Sequence, residues 1–195
     1  MSSPAPGLRE QRKARTRKAI QEHALRLFLA NGYDATTVEQ IASAAGVSHM
    51  TFFRYFPSKE AVVENDEYDP LLIDLIRAQP AGVGPLTALR TAVVGGIREV
   101  YATDKDALLV RTRLVLTTPA LRGRQWRNAD STQRLFAEAL ATRTDGEITF
   151  ELRVLASAVL GALSTALTAW VDSDGAEDLP ALMDRAFDAL GDLDS

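Results

Sequence analysis

The chain has 195 residues, 46% of them hydrophobic and 25% charged, which excludes a disordered chain and suits one large or two small globular domains. It has no Cys, no apolar run near the ~18 to 20 residues of a membrane span and no apolar stretch behind its basic start, so a cytoplasmic protein without a membrane partner is expected. The net charge of −4 divides unevenly: residues 1–60 hold nine Lys/Arg and five Asp/Glu, and residues 61–195 hold thirteen and twenty-one, so only the first part suits a polyanion.

After a Pro/Ser/Gly tail at residues 2–7 the pattern is helical. Ile20, Ala24, Leu27 and Phe28 recur at helical spacing and Asn31-Gly32 supplies a stop, predicting a first helix over 10–30. Thr36 and Glu39 have the spacing of a capping box for a short helix carrying Val38, Ile41 and Ala45 inward. Gly46 ends it, Ser48 is placed to cap a second short helix of His49 to Tyr55, and Pro57 closes that one. Beyond it, Asp69-Pro70, Gly84-Pro85, Thr118-Pro119, Asp145-Gly146 and Asp174-Gly175 punctuate the chain. Helices are predicted near 70–78, 85–102, 104–117, 119–143, 148–173 and 178–191, with no strand signal, so the fold class is all-α.

Two short helices joined by Ala45-Gly46-Val47-Ser48 form a helix-turn-helix, whose second helix can enter a major groove. The same geometry also serves ordinary packing. Residues 12–63 decide between the two. Thr36-Thr37-Val38-Glu39-Gln40-Ile41-Ala42, Ala45-Gly46-Val47-Ser48 and Thr51-Phe52-Phe53-Arg54-Tyr55-Phe56-Pro57-Ser58-Lys59-Glu60 resemble the DNA-binding domain of the TetR family of bacterial transcriptional regulators. The resemblance implies a three-helix DNA-binding domain over 9–60 and a helical ligand-binding and dimerisation domain over 61–195.

It further implies that the helix from Ser48 onward reads base edges, with His49, Met50 and Thr51 near its start, Arg54 facing the groove, and Tyr55, Lys59 and Thr37 meeting phosphate. The chemistry agrees: Arg54 can pair with guanine, Met50 can touch a thymine methyl, and Tyr55 and Lys59 offer donors to phosphate. Phe53 stands where many relatives have a tyrosine, so a phosphate donor is missing there. Phe52 and Phe56, four apart, suit the core side of the helix. Thr37 can serve as a cap alone, and His49 as a solvated residue. Arg12 and Arg15, within the run Arg9, Arg12, Lys13, Arg15, Arg17 and Lys18, can track phosphates or the minor groove, or form a solvated face.

In the second domain, Leu152, Leu155, Val159, Leu163, Ala166 and Trp170 recur at three and four, with Leu182 and Phe187 on the next helix. On the resemblance these form the homodimer interface, while Ala156, Ser157, Gly161, Ala162 and Ser164 permit close helix approach. A buried core helix has the same pattern. Leu108, Leu109, Leu116, Trp126, Phe136 and Phe150 are the candidate apolar lining of an effector pocket. Arg111 and Arg113 lie two apart and so face opposite sides of a helix, and with Arg122, Arg124 and Arg127 they read more readily as solvated. Asp69-Pro70-Leu71-Leu72 and Thr118-Pro119-Ala120-Leu121 resemble the TetR branch that includes regulators of mycofactocin gene clusters, which implies an acyl-type effector.

An enzyme lacks its parts here. The only histidines are His23 and His49, and neither H-E-x-x-H, G-x-S-x-G nor a phosphate-binding glycine loop occurs. No cofactor, metal site or catalytic residue is expected. The sequence leads to a homodimeric repressor bound to a double-stranded, near-palindromic DNA operator and released by a small molecule. An activator, or a regulator controlled by a protein partner, is the alternative.

Overall fold

The computed structural model describes the backbone of residues 7–63, 68–144 and 146–192, and the side chains of these except residues 10, 68–71, 124–128 and 192. Among the described residues there are nine helices and no strand. They fall into two compact units, divided between residues 65 and 66.

The first unit is built on α1 (Leu8–Asn31), α2 (Val38–Ala44), α3 (His49–Tyr55) and α4 (Glu60–Val63). Ile20, Ala24 and Phe28 are buried at successive fours along α1, with Leu25 beside them, while Leu27 is only half-buried. Gly32, at φ +85°, closes α1 by donating its N–H to the Phe28 carbonyl.

The capping box of α2 lies one residue later than the sequence spacing suggested. Thr37 is the N-cap: its hydroxyl accepts from the Gln40 N–H, and the Gln40 side chain accepts from the Thr37 N–H at 2.8 Å. Thr36 is instead buried and donates its hydroxyl back to the Gly32 carbonyl at 2.8 Å. A Thr-Thr pair followed by both Glu and Gln satisfies the motif in two registers, and burial of the first hydroxyl selects the second.

The second unit comprises α5 (Tyr68–Arg77), α6 (Pro85–Thr117), α7 (Pro119–Ala141), α8 (Phe150–Asp172) and α9 (Leu179–Asp192). Prolines at the first position of α6 and α7 start both helices where a missing N–H costs little. The predicted pair 85–102 and 104–117 is borne out within α6, which is two helices meeting across a kink where the backbone leaves helical geometry at Asp104 (φ −155°, ψ 51°). Just before the break, the Thr103 hydroxyl donates to the carbonyls of Glu99 and Val100, a back-bond that bends helices. Earlier in α6, Gly96 is buried against Leu72 of α5; a Cβ there would lie 2.8 Å from a Leu72 methyl.

The core of this unit takes up most of the residues expected at the dimer interface. Val159, Leu163, Ala166 and Trp170 of α8 and Leu182 and Phe187 of α9 are all buried within the single chain, together with Leu89, Val93, Phe136 and Leu140. Leu152 and Leu155 are half-buried against the same cluster. The fully buried residues have no surface left for a second copy, whereas Leu152 and Leu155 keep part of theirs. A periodic apolar stripe records that a helix face is buried and does not say against what.

The opposite face of α8 is exposed, and it carries Val154, Ser157, Ala158, Gly161, Ser164, Thr165 and Thr168. This composition also corrects the expectation about membrane-length segments, because α8 is long and apolar enough to cross a membrane by length and composition. Its interspersed Ser and Thr hide that length from a search for an unbroken apolar run. In the fold, α8 packs on α7 and α9.

Polar ties secure the rest. Arg90 on α6 donates to Asp184 at 2.9 Å and to Asp188 on α9, and Arg98 donates to Asp184 at 2.9 Å. The Arg90 guanidinium pKa is raised by its hydrogen bonds to Asp188 and Asp184. Arg143, just past α7, donates to the carbonyls of Pro80 and Val83 at 2.7 Å and closes the loop between α5 and α6.

Candidate nucleic-acid interface

The turn between α2 and α3 depends on Gly46, whose φ of +65° is costly for any residue with a Cβ. The Val47 N–H reaches back to the Ala42 carbonyl at 2.9 Å, which fixes the angle at which α3 departs. Ser48 then caps α3 as expected: its hydroxyl accepts from the Thr51 N–H at 3.1 Å and lies 2.9 Å from the Thr51 hydroxyl.

Phe52 and Phe56 are fully buried, with rings 6.0 Å apart, and anchor the inner side of α3. The outer side therefore presents His49, Met50, Phe53 and Arg54. Met50 is 84% exposed and Phe53 41%, and the Phe53 and His49 rings meet edge to face with centres 4.7 Å apart. The Arg54 guanidinium is exposed and lies 5.5 Å from the Tyr55 ring centre. Thr51 and Tyr55 are half-buried at the margins. His49 is held in place, with Nε2 3.2 Å from the Glu39 carboxylate; a contact between two separate helices leaves no local sequence signal.

The basic run of α1 divides by role. Arg12, Lys13 and Arg15 are exposed. Arg17 instead donates to the Tyr55 carbonyl at 3.1 Å and lies 4.5 Å from the Phe56 ring centre, tying α1 to the end of α3.

Lys59 also departs from its expected role at phosphate. Its ammonium donates to the carbonyls of Tyr33, Thr36 and Asp34 at 2.8, 3.1 and 3.4 Å, and sits 4.4 Å from the Tyr33 ring centre. An ammonium has three donors, and all three are engaged in fastening the loop between α1 and α2 to the start of α4. Tyr33 completes this knot by donating its hydroxyl to Glu60 at 2.8 Å. Lys59→Met should therefore lower the stability of this unit by about 1.5 to 3 kcal/mol while leaving the salt dependence of DNA binding unchanged. A salt slope flattened by about one unit in fluorescence anisotropy titrations would return Lys59 to the phosphate contacts.

In the second unit the expected pocket residues whose side chains are described do not converge. Leu108 and Leu109 are half-buried against the core, Leu116 is half-buried and Phe136 is in the core. Phe150 is 75% exposed at the first position of α8 and is not a lining residue, because it precedes the turn at which α8 begins to bury its apolar side. The side chain of Trp126, like those of Arg124 and Arg127, lies outside the described residues, as does the tail over residues 2–6. Arg113 pairs with Asp174. An open cleft of about 320 Å³ is bordered by Asp130, Gln133, Arg134, Glu138, Ile148 and Arg153, and among the described residues none of the expected lining borders it.

Comparison with known proteins agrees with this arrangement. Residues 20–65 match the family model for bacterial regulatory proteins of the tetR family, and residues 83–193 match that of the MftR C-terminal domain. The chain is 37% identical over 155 residues to the HTH-type transcriptional regulator TcmR of Streptomyces glaucescens, covering 76% of this chain and 69% of that protein. It is 28% identical over 190 residues to MftR of Mycobacterium tuberculosis, named for mycofactocin biosynthesis, covering 93% and 92%. Among solved structures, Thermus thermophilus FadR, a TetR-family repressor in complex with lauroyl-CoA, superposes with a TM-score of 0.57 at 29% identity, covering 89% of this chain and 92% of that one. A glycine-turned helix pair, an exposed face on its second helix and matches to models of both parts leave one assignment: the chain belongs to the TetR family of bacterial transcriptional regulators, with an N-terminal DNA-binding domain.

Proposed function

We propose that the chain is a homodimeric repressor that holds a near-palindromic operator through α2 and α3 and leaves it when a small molecule occupies the second unit. The observation that carries this reading is the outer face of α3, where Met50 and Arg54 stand exposed on a helix anchored by two buried phenylalanines. In it, His49, Met50, Thr51 and Arg54 meet base edges, Thr37, Ser48 and Tyr55 meet the backbone, and Arg12 and Arg15 follow phosphates. Two such faces must lie ~34 Å apart to read two half-sites, which requires a two-fold dimer.

The dimer reading now rests on the exposed face of α8, where Ser157, Ala158, Gly161, Ser164 and Thr165 allow close approach of a second helix. An apolar, acyl-type effector is supported by the lauroyl-CoA complex of Thermus thermophilus FadR. Its binding would favour a dimer whose reading heads are wrongly spaced.

Anisotropy binding to the DNA flanking the protein's own gene, against shuffled DNA of equal length at two salt concentrations, tests the DNA end. Specific binding, lost on adding lauroyl-CoA, is the expected result; equal binding to both DNAs from every flanking region would sink the operator. Arg54→Ala should cost about 1 to 3 kcal/mol at one base position. Equal losses on specific and random DNA would remove Arg54 from base reading.

A further inference from the structure

The reading surface does not end with α3. His49 opens that helix, and its Nε2 lies 3.2 Å from Oε1 of Glu39, on the first turn of α2. Both side chains are largely exposed, and the imidazole is braced edge-on against Phe53. Glu39 thus stands beside the outer face of α3 that carries Met50, Phe53 and Arg54.

A carboxylate at that place is costly unless it has a task there. The phosphates of a duplex repel it, and residues 1–60 otherwise carry an excess of cations, nine against four anions. Thr37 and Gln40 form the capping box of α2 between them, and Glu39 adds only an acceptor for its own first-turn N–H. The favourable interaction of a first-turn acid with the helix dipole remains, but that requires only a charge and no partner on α3. The Glu39 carboxyl is held below its ordinary pKa, chiefly by its own backbone N–H and then by the Thr37 hydroxyl, with a smaller contribution from His49; it is ionised when it meets DNA.

We propose that Glu39 is a specificity-determining residue: one carboxylate oxygen holds His49, and the other accepts from the exocyclic N4 amine of a cytosine at the edge of the stretch read by α3. A carboxylate is an acceptor only, and in the major groove cytosine is the base that presents a donor and no strong acceptor. A carboxylate has roughly four acceptor sites, so the bonds to its own N–H, to Thr37 and to His49 leave acceptor capacity for one more donor while they fix the place of a long, exposed side chain. The reading surface then runs from α2 across His49 to Arg54.

The test is selection of bound duplexes from a pool randomised across the half-site, using the full-length wild type, Glu39→Ala and Glu39→Gln. The wild type should enrich a C·G pair at one position by roughly tenfold over other pairs. Glu39→Ala should lose that enrichment alone, keep the other positions and bind random DNA at least as tightly. Glu39→Gln, which offers both a donor and an acceptor, should relax the same position without abolishing it. Melting curves separate the dipole contribution, which shifts Tm without touching sequence preference. An unchanged consensus in both variants, with affinity altered equally on all sequences, would overturn the proposal. A wild type that selects no sequence at all would instead overturn the operator reading on which the proposal rests.

Discussion

If the proposed dimer forms through α8, Gly161→Arg should leave a monomer and lower operator affinity by about 10² to 10⁴-fold, the advantage that linking two half-site contacts confers. Gly161 is exposed on α8, and no heavy atom lies within 4 Å of the place where its Cβ would stand. The fold of one chain therefore has room for the larger residue, which also has a better helix propensity than glycine by up to ~1 kcal/mol. Its neighbours on the same face, Ser157, Ala158, Ser164 and Thr165, are all small and exposed, so a second helix can approach closely only while position 161 stays bare. Sedimentation equilibrium reads the oligomeric state, circular dichroism the fold, and anisotropy the affinity for whole and half operators. A variant that remains dimeric would place the interface elsewhere. One that is monomeric yet binds the whole operator at wild-type affinity would remove the need for a dimer.

Trp170 carries the second large effect. It is fully buried in the core, with the Tyr101 ring 5.9 Å away, and its indole N–H has no hydrogen-bond partner among the described residues. Trp170→Ala should cost about 3 to 5 kcal/mol, from lost burial and the cavity left behind. That is a large share of the ~5 to 15 kcal/mol by which a domain is held together. Trp170→Phe removes less volume, and it also removes a buried donor whose unsatisfied state costs about 1 to 3 kcal/mol. Its cost should therefore fall below ~2 kcal/mol. Urea unfolding followed by circular dichroism measures both, and a loss above ~2 kcal/mol for Trp170→Phe would mean that removing the unpartnered indole N–H does not offset the lost volume.

The all-α fold, the helix-turn-helix and the orientation of α3 were legible because local chemistry specifies each of them. Ser48 caps α3 whatever lies around it, Gly46 permits the one backbone angle the turn needs, and Phe52 and Phe56 four apart define a buried side and hence an outer one. The break in α6 was legible for the same reason, and the structure has two helices meeting across a kink at Asp104.

What the sequence left open was the identity of the partner each face meets. The stripe from Leu152 to Trp170 was readable as apolar, and only the placement of α7 and α9 turned it into the chain's own core, leaving the small-residue face for any second copy. Lys59 reads as a free cation until the loop between α1 and α2 brings three carbonyls around it. Glu39 reads as a helix-start charge until α3 brings His49 against it. By itself the sequence determined the periodicities, caps and turns, because these depend on residues within one or two turns of each other. The tertiary structure alone decided which cations and carboxylates are committed within the fold and which remain for DNA, because hydrogen bonds between separate elements depend on packing that no local spacing encodes.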